Sequence, residues 1–408
     1  MDALLRAALG QLQSGRIAAA IDLFQHAIER SPNSAPARNG YGVALCVADR
    51  PRESIEHFQR AISLQPNFAL AHANLGNAWR ALGQHEQAID SYRRAVGLQP
   101  NFPAAHNFAG LSYMQMGLRR EALASFDRAI ACDPRYADAH FNRGACCIDL
   151  GSFQHALESL DTAVSLDPTD ATAFNDRGAA LMGCGRSLDA LASFERALQL
   201  RAEYPAAHAG RATALSSLGR IDEAILAYQT AASLDPGRAE THSDLAAALM
   251  KLNRLDAAVA SCDRAIALNR DLHDAWTNRA QALLLQGRMA EGWSDYEHRF
   301  FKTGAPPPRH VDIPRWDGAS SLQDRRILLW SEQGLGDTLQ FLRYVPVVRS
   351  CGAQVYLEVQ AAARPALAGM EGVSGVYAEG AATGSFDLQC PLMSLPFALG
   401  NEIGRAHV

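Results

Sequence analysis

Lysine is almost missing from this chain. Only Lys251 and Lys302 occur among 408 residues, and arginine supplies nearly all the basic groups. Excess positive charge is missing too. The formal balance is -5, whereas a protein that holds a phosphate backbone presents a basic face, so nucleic acid is not expected as a partner. No apolar run approaches the ~20 residues that a membrane span needs, and the opening MDALLRAALG lacks the basic start and unbroken apolar stretch of a secretory leader. The eight cysteines include no C-x-x-C pair. They read as small core fillers in a reducing, cytoplasmic setting and not as ligands of a metal. What the chain does have is hydrophobic residues, 48% of the total, enough to bury a core and too many for a disordered polymer.

Those residues recur with a period. Ala69–Phe102 reads as two helices, about Ala71–Leu82 and Glu86–Leu98, separated by Gly83 and closed by Pro100. Gly76, Ala88 and Ala95 are small where the helices would touch, and Tyr92 fills the space between them. Steps of 34 find nine such units without an insertion. The position of Ala88 reads Ala20, Ser54, Ala122, Ala156, Ala190, Ala224, Ala258 and Gly292 in the others, and that of Tyr92 reads Phe24, Phe58, Phe126, Leu160, Phe194, Tyr228, Cys262 and Tyr296. The ninth unit departs from the pattern: EGWSDYEHRFF carries Trp293, Tyr296, Phe300 and Phe301, more aromatic surface than a helix facing water wants, so a packing partner is expected there.

Period, helix–turn–helix pattern and small–large alternation together resemble the tetratricopeptide repeat. The resemblance implies an all-α solenoid over residues 1–301 whose first helices line a concave, protein-binding groove. Asn74, Asn142, Asp176, Asp244 and Asn278 fall on that face, with Asp138, Glu240 and Asp274 one turn earlier. A solvated helix face explains these residues. A ladder of amides and carboxylates that holds the backbone of an extended peptide explains them as well, and arrays fused to the protein O-linked N-acetylglucosamine transferases look similar in this respect. A second ladder, His72, His106, His140, His208 and His242, is not a metal site. Neighbouring helices lie ~8–10 Å apart while zinc needs ligands at ~2 Å, so these histidines are expected to pack.

From residue 302 the texture changes. Residues 302–324 form a linker stiffened by Pro306, Pro307 and Pro308. Beyond it strands are expected at Arg326–Trp330, Ala353–Val359, Val373–Tyr377 and Phe386–Cys390, with helices at Thr338–Ser350, bent or ended early by Pro346, and Ala361–Met370. Such alternation implies a parallel sheet. Between the first strand and the first helix lies SEQGLGD, the one stretch with the look of a chemical site. Its Gln333, Gly334 and Gly336 form a loop able to approach a ligand, and Asp337 stands where the helix starts, as an N-cap or as a catalytic group. The third glycine of a dinucleotide fingerprint and the lysine of a P-loop are both lacking.

RRILLWSEQGLGDTLQFLRYVPVVRSCGAQVYLEV and the later FDLQCPLMSLPFALG resemble bacterial proteins that join a glycosyltransferase family 9-like domain to tetratricopeptide repeats. The family's best-known members are lipopolysaccharide heptosyltransferases. The resemblance implies a GT-B architecture of two Rossmann-like halves, of which residues 325–401 match part of the first. It implies Asp337 as the base on an acceptor hydroxyl, Gln333, Gly334 and Gly336 as a substrate-binding loop, and a nucleotide-sugar donor for a longer parent protein. No cofactor is expected in 1–408 itself, and this piece is expected to be catalytically silent. The other reading is a pure interaction scaffold without chemistry. The last seven residues, EIGRAHV, match the translation of a common sequencing adapter, so 402–408 read as an artefact.

Overall fold

The computed structural model describes residues 2–302, 304–307 and 309–400. Pro308 of the proline run and the adapter-like tail 402–408 lie outside the described residues. Two compact units divide the chain, Met1–Leu218 and Gly219–Val408.

In the first unit every described helix belongs to a repeat, from Asp2–Gln13 to Pro205–Ser217. The pair at the centre of the motif is Ala69–Ala81 and His85–Leu98, so its first helix begins two residues before the expected start. Each pair turns through one left-handed residue. It is Gly83 here, at φ +73°, and positions spaced by 34 repeat it. Asp49 (φ 59°) and, in the second unit, Asn253 (φ 56°) stand in for glycine, both residue types that tolerate this region.

The small–large alternation is a close fit between backbone and ring. A Cβ added to Gly76 would fall 2.6 Å from Tyr92 Cε1, and one added to Gly110 would fall 2.4 Å from Phe126 Cε1. Phe24, Phe58, Tyr92 and Phe126 are fully buried, and each such side chain is worth roughly 1.5–3 kcal/mol of transfer free energy. Tyr92 keeps its hydroxyl satisfied by donating to Asn77 Oδ1 at 2.7 Å.

The second unit starts with five more repeat helices, Ile221–Leu234 to Met289–Tyr296, and the last continues as a short 3-10 turn, Glu297–Phe301. A four-stranded parallel sheet follows. Its strands are β1 (Arg326–Trp330), β2 (Gln354–Val359), β3 (Val373–Ala378) and β4 (Leu388–Pro391), in spatial order β3-β2-β1-β4. Ile327 is level with Val355 on one side and Leu388 on the other. One face of the sheet buries Ile327, Leu329, Val355, Leu357 and Cys390 with Leu342, Val345 and Val348 from the helical segment after β1.

That segment is three short pieces, Leu335–Phe341, a 3-10 turn Leu342–Tyr344, and Val345–Ser350. Pro346 lies in the first turn of the last piece, where its missing N–H costs nothing. The helix expected over Ala361–Met370 shrinks to Arg364–Leu367. Pro365 favours its start and Gly369, at φ +88°, ends the run. The aromatic surplus of the ninth repeat has its partner. Trp293 and Tyr296 pack on the core of the sheet region, Trp293 edge-on to Phe341 at 5.5 Å, while Phe301 stays 67% exposed.

Candidate functional site

The ladder on the first helices is tied to the repeat before it. In the first unit Asn74 Nδ2 donates to Asn39 Oδ1 at 3.0 Å, and Asn142 Nδ2 donates to Asn107 Oδ1 at 3.0 Å. Asn39 and Asn107 are buried; Asn74 and Asn142 are half-buried. One amide proton of each ladder residue is therefore fixed across the seam, which orients the remaining N–H and the carbonyl oxygen. Asp176 accepts from Asn175 Nδ2 at 3.0 Å, and burial pushes its carboxyl above the ordinary range.

The second unit repeats the device with more charge. Asn278 Nδ2 donates to Ser243 Oγ at 3.2 Å. Asp244 reaches solvent, yet its carboxyl is pushed up to about 6, first by the surrounding protein mass and then by Glu240 and Asp274, against the pull of Arg238. Asp274 carries an ion pair to Lys302 Nζ at 2.7 Å.

The histidines pack, as their spacing predicts. His72, His106, His140, His208 and His242 each place Nε2 2.9–3.3 Å from the carbonyl oxygen six residues earlier. Trp276 does the same with Nε1, donating to Arg270 O at 2.9 Å. The position asks for an N–H donor, whatever the side chain. Phe174 has none, and there Arg196 Nη2 reaches Pro168 O at 3.5 Å instead.

In SEQGLGD the helix begins at Leu335 with Gly334 as its N-cap residue, and no side chain caps it. Asp337 is thus in the first turn and not at the cap. It is half-buried, without a side-chain partner among the described residues, and its Oδ2 lies near Gly334. Gly334 and Gly336 are exposed. Gln333 Nε2 donates to the hydroxyl of Tyr296 at 3.2 Å, which ties the loop to the ninth repeat. The loop leaves the C-terminal end of β1, between β2 on one side and β4 on the other.

Two sets of residues escaped the sequence reading. One is an arginine ladder. Arg143 bonds Asp127 at 2.7 Å and Ser159 at 2.5 Å, and Arg177 bonds Asp161 and Ser193 at 2.6 Å each. In the second unit Arg279 bridges Asp263 and Asp295. Its signal, an arginine with an acidic residue 16 positions before it, was present in the sequence. The other is a buried cluster around Arg299. Its guanidinium is bidentate to Glu332, Nε donating to Oε1 at 3.1 Å and Nη2 to Oε2 at 2.9 Å; it also bonds Glu297 Oε1 at 2.8 Å and reaches Ser394 Oγ at 2.7 Å. Burial holds the Glu332 carboxyl above its ordinary range in spite of that cation.

Family models described as tetratricopeptide repeat match residues 2–34, 109–171, 175–239 and 217–284, and one described as TPR repeat matches 76–117. Protein FlbA of Caulobacter vibrioides is 39% identical over 84 residues, which is 20% of this chain and 14% of that protein. Among solved structures, the APC/C hetero-tetramer Cut9-Hcn1 aligns with TM-score 0.51 at 18% identity, over 69% of this chain and 56% of that one. YrrB, described as a TPR protein with an unusual peptide-binding site, aligns with TM-score 0.39 at 20% identity, over 45% of this chain and 95% of that one.

Proposed function

Since the chain is a tetratricopeptide-repeat protein across the matched residues, and such an array implies a protein–protein interaction scaffold, we propose that its first-helix face holds extended, neutral to basic peptide segments. The ladder supports this reading. Asn74 and Asn142, and in the second unit Asn278, are each fixed by a bond to the preceding repeat. They present the remaining amide groups ready to pair with a peptide backbone, and their ordering is complete before the partner arrives. Asp176, Asp244, Glu240 and Asp274 supply the negative charge that prefers basic segments. The test is an array of extended peptides on immobilised protein. Asn142→Ala should weaken binding to the face of the first unit and Asp244→Asn to that of the second, with added salt weakening both. Binding that maps to the second helices of the repeats refutes the reading. The eight free cysteines suit a reducing cytoplasm as the place of work.

A second reading concerns the sheet region, and it rests on Asp337. A half-buried carboxylate without a side-chain partner among the described residues, in the first helical turn beyond the C-terminal end of a central parallel strand, lies where ligands meet open α/β sheets. In this reading the full-length parent is a GT-B glycosyltransferase whose first Rossmann-like half begins here. Asp337 takes the proton of an acceptor hydroxyl as that oxygen attacks the anomeric carbon of a nucleotide-sugar donor, and the nucleoside diphosphate leaves with the bonding pair. Gln333, Gly334 and Gly336 then shape the loop against the substrate. The repeats present the protein that is to be modified, or act alone as a scaffold where the chemistry has been lost.

A further inference from the structure

Glu358 is the one charged residue of β2, and it is fully buried. Its Oε1 accepts from Arg309 Nη2 and lies 3.1 Å from His310 Nε2, whereas its Oε2 has no partner among the described residues. Isolated carboxylates do not stay ionised and buried without strong compensation. Here the compensation comes from a side chain outside the sheet, on the proline-rich segment.

The surroundings of the Arg309 guanidinium define what this place recognises. Nη1 donates to Glu379 Oε1 at 2.7 Å and to the carbonyl oxygen of Ser331 at 3.0 Å. Its Cζ stands 5.0 Å from the ring centre of Trp330. Two carboxylates, a carbonyl and an aromatic face together form a guanidinium cage: charge, in-plane acceptors and a π surface. A lysine ammonium has no plane to lay on the ring and no fork to match the acceptors. The occupant fits imperfectly. Arg309 uses one oxygen of Glu358 and leaves the other idle, and its neighbour His310 sits at φ 54°, a backbone state that a non-glycine residue rarely takes. Beside the cage lies a cavity of about 200 Å³ lined by Phe300, Pro306, Pro307, Arg309, Trp330 and Gln333, open to an arriving side chain.

We propose that this strand-end cage is a binding site for the arginine side chain of a peptide, and that Arg309 is a built-in occupant which the ligand displaces. An external guanidinium entering through the cavity engages both oxygens of Glu358 in the bidentate manner that Arg309 does not achieve. The side chain of Arg309 then swings out of the cage. While Arg309 holds the cage, the apparent affinity of the ligand is lowered by the fraction of molecules in which the cage is open.

The experiment uses the whole chain and N-acetyl-arginine amide as probe, titrated by calorimetry and by tryptophan fluorescence. Arg309→Ala should bind the probe at least about tenfold more tightly than the unaltered protein. It should prefer the probe to N-acetyl-lysine amide, and Arg309→Ala with Glu358→Gln should lose the gain. Low-millimolar guanidinium ion should also raise the melting temperature of Arg309→Ala, whereas urea, its neutral isostere, should not. No gain on Arg309→Ala, or an equal gain in the double variant, overturns the proposal. Should Arg309→Ala not fold, Arg309→Gln carries the same titrations, and failure of both variants to fold in the presence of guanidinium also overturns it.

Discussion

Replacing Arg299 by alanine removes a cation that is only 8% exposed in its side chain, between carboxylates of Glu332 (8%) and Glu297 (18%). Three segments of the second unit meet there: the 3-10 turn after the last repeat, the loop after β1, and the turn after β4 that carries Ser394. Arg315 joins the same cluster through Glu297 and Ser394. The guanidinium also lies over the rings of Phe300 (4.1 Å) and Tyr296 (4.8 Å). Deleting one partner of a buried pair leaves the other charge unneutralised and typically costs about 3–5 kcal/mol. For a unit of this size each kcal/mol lowers the melting temperature by roughly 2–4 °C, so calorimetry of Arg299→Ala should show a fall of about 6–20 °C in the transition of the second unit. The acid dependence checks the cause. Glu332 already sits above its ordinary pKa because of burial, and loss of Arg299 raises it further. A carboxyl with a raised folded pKa favours the fold below its unfolded pKa and opposes it as pH rises through the folded value. The deficit of Arg299→Ala should therefore be largest at neutral pH and shrink as the pH falls and Glu332 takes a proton. Arg299→Met with Glu332→Leu should recover much of the loss, because it removes both desolvated charges. A cost below 1 kcal/mol, a deficit indifferent to pH, or a double variant no better than the single one refutes the reasoning.

Three further expectations follow from other parts of the molecule. On the glycosyltransferase reading proposed above, Asp337→Asn in the longer protein should remove about 10²–10⁴-fold of sugar transfer with little change in melting temperature, as Asp337 caps no helix; a stability loss with turnover intact assigns it a structural role. Asp244, with its carboxyl at about 6 instead of 3.8, favours the fold below pH 3.8 and loses that contribution as pH rises through 6. Asp244→Asn should thus stabilise the second unit at pH 7, by about 1 kcal/mol or less after solvent screening, and match the unaltered protein at low pH; thermal melts across the pH range decide it. Gly110→Ala places a methyl 2.4 Å from Phe126 Cε1 and should cost about 1–3 kcal/mol by overpacking, measurable by urea unfolding, whereas Gly97→Ala, with open space around it, should be neutral or stabilising.

The repeats were legible because their signal is local. Small residues at Gly76 and Ala88, a ring at Tyr92 and a turn at Gly83 lie within one 34-residue period, and the same spacing returns nine times. The strands were legible from their apolar runs, whereas Ala361–Met370 was read as a helix because its composition suits one; the flanking Pro365 and Gly369 decide otherwise. At Asp337 the helix boundary was misplaced by a few residues, enough to make a first-turn residue look like a cap. The side of a helix on which Asn74 and Asn142 lie follows from periodicity, but the partners Asn39 and Asn107 are 35 positions away. Glu358 was the least legible of all. Its burial depends on an arginine 49 positions earlier in a segment without regular structure, and only the oddity of a lone acid in QVYLEV pointed to it.

The hydrogen bond from the histidine position reaches a backbone carbonyl six residues before it, at the close of the preceding repeat. Every residue carries such a carbonyl, so a copied repeat finds this acceptor whichever side chain closes the unit before it. The amide bonds across the seams behave differently, because each needs a suitable residue in the neighbour: Asn39 for Asn74, Asn107 for Asn142, and Ser243 for Asn278. A bond to a main-chain carbonyl therefore survives a change of its acceptor residue, as at Ala202, whereas each amide bond depends on the side chain that it meets. The mixture at the first position, where His, Trp and a surrogate Arg196 all serve, shows how little such drift disturbs a bond that asks only for an N–H.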